Sequence, residues 1–191
     1  MVDLVLLQSL SYMAGALGVC VAAFYYALNI RETTRTRWVT LTNTLIQSFI
    51  SEEGSKRYMD LMNMEWKDFD DFYKKYDSSV NPENFAKRNA VYNICDILGY
   101  QYLSGQLDLG TIWTVCNAAV PTAWRKFGPI IEEYKRRGEY YKHVYEHFEY
   151  LAYELSKIMA KTDPSYKVSP IFKSDEYYRE FKRRKLPFAS P

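Results

Sequence analysis

The stretch from Leu4 to Ile30 constrains this chain more than any other, because none of its 27 residues carries a charge. Arg31 ends the run, and the strongly polar side chains within it are Gln8, Ser9, Ser11 and Asn29. A helix of this length extends about 40 Å, whereas the hydrocarbon core of a bilayer is about 30 Å thick. We therefore expect residues 1–30 to form a transmembrane anchor for the rest of the chain.

The flanks of this run predict its orientation. A secretory signal peptide begins with basic residues, and residues 1–3 contain none, so we expect an uncleaved anchor. Tyr25 and Tyr26 suit the aromatic belt at a membrane surface. The basic residues that follow are Arg31, Arg35 and Arg37. Because such residues favour the cytoplasmic side, we expect an N-out protein of the cell membrane with its carboxyl-terminal domain in the cytoplasm.

Small residues recur at helical spacing inside the run. Ser11 and Gly15 lie on one row of the helix, and the next row contains Ala14, Gly18 and Ala22. Rows of this kind let two membrane helices approach closely, which indicates self-association or a protein partner. Glycine and alanine are also common in membrane helices without such a role, so both interpretations stay open.

Composition limits the domain that follows the anchor. Eighteen tyrosines and only eight glycines favour packed amphipathic helices over a turn-rich β fold. Residues 31–161 contain 18 basic and 18 acidic side chains, so we expect no nucleic-acid binding, which requires a clustered basic face. Residues 162–191 contain seven basic and four acidic side chains, and we interpret them as a basic, partly ordered tail.

Local signals predict where the helices begin. Periodic apolar residues extend the anchor helix to Ile50, with Trp38 and Leu45 directed to the domain core. Asp68, Asn81 and Asp108 each precede an apolar periodic segment, as N-cap residues do. A last core helix is predicted from Glu139 to Met159, and a short one from Asp175 to Arg184.

One short motif matches a catalytic pattern. His143, Glu146 and His147 form an H-x-x-E-H sequence, and histidines four residues apart on a helix can bind one zinc ion with the glutamate as a general base. The chain has no further histidine, and the two positions fall on the border of the apolar stripe, where solvated side chains are usual. We therefore expect no metal, cofactor or catalytic residue, and keep a zinc-dependent hydrolase as the alternative function.

The three cysteines and the basic tail have less specific meanings. Cys20, Cys95 and Cys116 lie in apolar contexts and are expected to be free thiols of a reducing compartment. The strongest run of charge is Lys182, Arg183, Arg184 and Lys185. It is expected to be solvated, to bind anionic headgroups at the membrane surface, or to dock onto a partner.

Several segments of the chain are similar to a known family. They are Met13–Thr33, Trp66 with residues 68–72 and Tyr76, residues 97–99 with residues 105–108, Trp124 with residues 129–131 and Arg136, and Phe148–Ala152. They resemble an uncharacterised, mainly archaeal and prokaryotic family of small single-pass membrane proteins with a helical cytoplasmic domain of unknown function. The resemblance extends over about Leu4 to Lys161 and implies an all-helical domain with no established catalytic residue.

Together these observations predict an all-α protein. One N-terminal transmembrane helix continues into a compact cytoplasmic bundle of about five to six helices at residues 31–161, followed by the tail at 162–191. We expect a non-enzymatic, membrane-tethered interaction or accessory protein. Its expected partners are the lipid bilayer and either a protein subunit or a second copy bound through the membrane helix.

Overall fold

Every regular element within residues 4–185, the part of the chain that this computed structural model describes, is an α-helix. The helices are α1 (Leu4–Ile50), α2 (Glu52–Met62), α3 (Phe69–Tyr76), α4 (Pro82–Leu103), α5 (Leu109–Cys116), α6 (Ala119–Arg136), α7 (Glu146–Thr162) and α8 (Asp175–Lys185). The all-α prediction is confirmed, but the helix count differs from the five to six predicted for residues 31–161. Seven helices follow α1 in the described range, and the last of them, α8, lies beyond that domain, where a short helix was predicted separately. The side chains of eight residues in this range lie outside the described part of the structure: Leu6, Thr34, Arg35, Arg37, Trp38, Val39, Leu41 and Lys185.

The predicted helix starts are confirmed by their capping hydrogen bonds. The side chain of Asp68 accepts from the Asp71 amide at the start of α3, and Asn81 accepts from the Asn84 amide at the start of α4. Asp108 caps α5 in the same way through the Thr111 amide. These contacts satisfy amide donors that a helix leaves unpaired at its first turn, which is why they are readable from adjacent residues.

The start of α7 differs from its prediction. Residues 137–145 form turns, and α7 begins at Glu146 rather than Glu139. At the end of α6, Gly138 has a left-handed φ of 78°, while the Glu139 amide donates to the Tyr134 carbonyl. These two features end helix α6. Residues 139–145 are therefore not helical, although Val144 and Phe148 have the spacing of residues on one helical face.

The chain divides into two units, residues 1–44 and residues 45–191. The boundaries predicted at residues 30/31 and 161/162 stay predictions. In the second unit, the largest fully buried side chains are Trp124, Arg88, Tyr92, Phe72, Phe127, Phe148 and Phe181. Most of them belong to α4, α6 and α7, and these three helices form the centre of the domain.

The contact between α4 and α7 is the most extensive helix pair and depends on Gly99. A Cβ atom at Gly99 would overlap with the backbone carbonyl of His147. Glycine at this position therefore lets the two helix backbones approach more closely than any other residue would.

Candidate functional site

The apolar part of α1 has no cover from the protein. The stretch Leu7–Thr33 has a mean hydropathy of 1.7, and none of it is buried inside the molecule. Large apolar side chains such as Leu17, Val19 and Phe24 are 66–70% exposed. By length and composition this helix can cross a membrane, which is the same test that a signal sequence near an N-terminus passes.

The small residues on this helix are all accessible. Ser11, Ala14, Gly15, Gly18 and Ala22 are exposed, and a Cβ atom at either glycine would meet nothing within 4 Å. The Ser11 hydroxyl donates to the Leu7 carbonyl at 3.0 Å within its own helix, so it is satisfied without a partner chain. Helix packing through this face stays a prediction.

The residues predicted to lie at the membrane surface are exposed wherever their side chains are described. Tyr25 and Tyr26 are 69% and 67% exposed. Among the basic residues predicted to lie at the membrane surface, the exposed ones are Arg31, Lys182, Arg183 and Arg184. The side chains of Arg35, Arg37 and Lys185 lie outside the described part of the chain, as does Trp38, which was expected to reach the core.

The two histidines of the H-x-x-E-H motif do not converge on one site. His143 lies in the turn before α7, where its Nδ1 atom is 2.6 Å from Glu146 Oε1. His147 lies in the first turn of α7, and its Nδ1 atom is 3.4 Å from Asp96 Oδ2. Within residues 4–185, no three His, Cys, Asp or Glu side chains are grouped so that they could hold a metal ion. The premise that both histidines share one helical face is wrong, because the helix starts three residues after His143.

Asp96 caps α7 from a different helix. Tyr145, the residue preceding α7, has a left-handed φ of 59° and its side chain makes no capping hydrogen bond. Instead, Asp96 Oδ1 on α4 accepts from the Phe148 amide at 3.0 Å. A carboxylate at this position satisfies a free amide and also complements the positive end of the helix dipole.

Helix α8 docks onto α7 through a buried carboxylate. Glu149 is 2% exposed, and its two oxygens accept from Tyr178 Oη and Lys173 Nζ, each at 2.8 Å. Tyr178 Oη in turn accepts from the Lys173 amide at 3.1 Å. Tyr150, Tyr153 and Phe181 complete an apolar cluster around this network. Tyr178 and Phe181, two aromatic residues beside the basic run, are thus buried inside the protein.

This network shifts the pKa values of its members. Burial, followed by the charge of Glu149, raises the pKa of Tyr178 above its ordinary value. Burial is the largest single effect on Lys173 and lowers its pKa, but the hydrogen bond to Glu149 and the charges of Glu149 and Glu132 together outweigh burial and leave the pKa raised. Both shifts keep the phenol neutral and the ammonium charged at neutral pH.

The cysteines are free thiols, as predicted. Cys95 and Cys116 are buried, and burial raises the pKa of both, to about 11 for Cys116. Because the thiolate is the reactive form, these two residues are inert packing groups at neutral pH.

Sequence reasoning missed Asp96, Glu149 and Lys173. Each acts through a partner at least 24 residues away along the chain. A charged residue inside an apolar periodic segment was the available signal, and Glu149 between Phe148 and Tyr150 carries it.

Comparison with known proteins gives one match. A family model described as "Domain of unknown function (DUF4760)" matches residues 12–155. The chain matches no curated protein and no solved structure. The predicted likeness to an uncharacterised family is confirmed to that extent, whereas the archaeal and membrane character of the family stays a prediction.

Proposed function

The chain belongs to the DUF4760 family, and on that premise we propose that it is a membrane-tethered helical interaction or accessory protein rather than an enzyme. The family description states no activity, so the proposal depends on the chain's own residues. The observation that carries it is the uncovered apolar stretch Leu7–Thr33 of α1.

Exposed apolar surface on this scale requires an apolar environment. Leaving a Leu, Val or Phe side chain fully exposed to water costs about 1.5–3 kcal/mol of free energy relative to burying it. A bilayer removes this cost over the whole circumference of the helix, while a soluble partner would cover only one side. The helical backbone also satisfies its own hydrogen bonds, as a lipid environment requires.

The orientation follows from charge. Every lysine and arginine of the chain lies at or beyond Arg31. We therefore infer that the amino terminus faces outward and that residues 45–185 fold in the cytoplasm.

An interaction role fits the domain better than hydrolysis does. His143 and His147 pair with different carboxylates, Glu146 and Asp96. Asp68 and Asp108 cap helices, and the thiols of Cys95 and Cys116 are buried, so these residues have structural roles too. The small-residue face with Gly15 and Gly18 is open to a second helix, which supports self-association or binding to another membrane subunit.

Trypsin accessibility tests the anchor and its orientation together. We expect the full chain to stay in the membrane fraction through a sodium carbonate wash. Because trypsin cleaves after Lys and Arg, protease outside intact spheroplasts should leave the chain whole, and protease on inverted vesicles should digest it. Release by carbonate, or digestion from the outside, would refute the anchor or its orientation, respectively.

Crosslinking in native membranes tests association through α1. We expect Gly15→Ile and Gly18→Ile to reduce crosslinked oligomers or partner complexes. Ala16→Ile is the matched control, since Ala16 is also a small exposed residue but lies off the two rows. Equal crosslinking in all three variants would exclude this face as the interface.

A further inference from the structure

A basic groove lies where α6, the turn before α7, the segment before α8 and α8 itself meet. Its cavity volume is about 580 Å³, within the roughly 300–1,000 Å³ typical of small-molecule sites. The cationic or histidine side chains that line it are Lys135, Arg136, Lys142, His143, Lys173 and Arg184. Glu132 and Glu146 also line the groove, and Arg136 and Lys173 are paired with Glu133 and Glu149 beside it. The positive charge without a carboxylate partner in the lining therefore comes from Lys142 and Arg184.

The inner cations are held in place by carboxylates. Lys135 Nζ lies 2.7 Å from Glu132, and Lys173 Nζ lies 2.8 Å from the buried Glu149. An ammonium group has three donors, so each lysine keeps N–H groups that one carboxylate does not satisfy. The Lys135 side chain is 9% exposed and that of Lys173 is 36% exposed, so Lys135 is the more buried of the two.

The outer cations are available to a ligand. Among residues 4–185, Lys142 and Arg184 form no salt bridge, and both are exposed. Arg184 Cζ lies 6.0 Å from the centre of the Tyr177 ring, and Lys173 Nζ lies 4.6 Å from it. The ring thus orients cations from two chain segments beside one cavity.

We propose that this groove is a binding site for a phosphate-bearing ligand. A phosphate monoester carries nearly two negative charges and several acceptor oxygens, so it can accept from lysines and an arginine at once. A single carboxylate would satisfy fewer of these donors. Lys135 and Lys173 are already paired with Glu132 and Glu149, which leaves Lys142 and Arg184 for the ligand.

The phosphate could belong to a lipid headgroup or to a soluble compound. Binding of a lipid headgroup depends on the proposed membrane anchor, whereas the presence of the groove does not. Anionic headgroups attract basic side chains near a membrane surface, and the exposed Lys182 and Arg183 lie beside Arg184 on α8.

Calorimetry with inorganic pyrophosphate tests the site. The full chain is placed in bilayer discs of phosphatidylcholine and titrated, and we expect saturable binding. Arg184→Gln removes one charge-assisted contact and is expected to weaken the affinity about tenfold. Lys142→Gln is expected to weaken it similarly.

Arg183→Gln is the matched control. It makes the same change of charge at the adjacent exposed residue of α8, outside the groove lining. Its affinity for pyrophosphate is expected to change less than about twofold, because exposed charges are largely screened by salt. Circular dichroism of each variant confirms that the fold is retained.

A second titration separates the two sources. Discs that contain phosphatidylglycerol should lower the apparent pyrophosphate affinity of the wild type if a headgroup occupies the groove, and Arg184→Gln should remove that difference. Unchanged affinity would assign the site to a soluble phosphate compound.

Two results would overturn the proposal: no saturable binding by the wild type, or equal weakening by Arg183→Gln and Arg184→Gln. Carbonate extraction of the same protein reports the anchor independently, so failure of the groove and failure of the proposed function are distinguishable.

Discussion

The carboxylate of Glu149 accepts a hydrogen bond of 2.8 Å from the phenol of Tyr178, and both side chains are at most 3% exposed. This contact joins α7 to α8. A segment that the sequence alone places in a basic, partly ordered tail is therefore attached to the domain through a buried polar group. Buried carboxylates are retained only where their acceptors are satisfied, and here Lys173 and Tyr178 do so.

Tyr178→Phe should destabilise the protein by about 1–3 kcal/mol, because it leaves a buried acceptor of Glu149 without its donor. Urea titration of the full chain in detergent gives the free energy of unfolding and so measures the effect. Tyr141→Phe is the control, since Tyr141 is 76% exposed and should tolerate the change. A double-mutant cycle with Glu149→Gln should show coupling, and additive losses would contradict a direct contact.

Gly99→Ala should destabilise the α4–α7 contact by about 1–3 kcal/mol or more, because the added methyl group overlaps with the His147 carbonyl. The backbone of a packed helix cannot move aside as a side chain can. Thermal unfolding monitored by circular dichroism reports the change. Gly15→Ala supplies the comparison, as it adds the same group where nothing lies within 4 Å. Similar melting temperatures for the two variants would contradict the close approach.

Asp96→Ala should cost about 1–2 kcal/mol through loss of the cap on α7. Asp96→Asn keeps an acceptor oxygen for the Phe148 amide and should recover much of that stability. Hydrogen exchange of the first-turn amides of α7 gives a local readout, with faster exchange expected in the alanine variant alone. Equal exchange in both variants would indicate that the charge, not the hydrogen bond, provides the stabilisation.

Stability should fall in alkaline solution because of buried tyrosines. Burial raises the pKa of both Tyr58 and Tyr145 to about 12. An unfolded tyrosine ionises near pH 10, so the stabilisation is fully present below about pH 10 and is lost as the pH rises through about 12.

Phenolate absorbance of the folded protein should accordingly show a group of tyrosines that ionises late. Tyr145→Phe should remove part of that late signal while the remaining titration is unchanged. A titration in which every tyrosine ionises near pH 10 would show that these rings are accessible to water.

The sequence predicted the features that depend on adjacent residues. The caps Asp68, Asn81 and Asp108 are readable because a cap contacts an amide three residues away. Residues 139–145 were misread as helix because apolar spacing continues through them, whereas Gly138 and the left-handed Tyr145 interrupt the backbone. Tyr145 holds that conformation through distant contacts, since its hydroxyl donates to Asn89 at 2.8 Å.

The sequence by itself determined that this is an all-helical chain with an uncharged helix long enough to cross a bilayer, because helix periodicity, caps and the absence of charge are local properties. Only the tertiary structure decided that His143 and His147 turn to separate carboxylates, that Asp96 caps α7, and that α8 packs on Glu149 beside a basic groove. Except for the contact of His143 with Glu146, which is three residues away, those relationships join residues far apart along the chain. Their distances are set by how the helices pack, and no pattern of neighbouring residues encodes them.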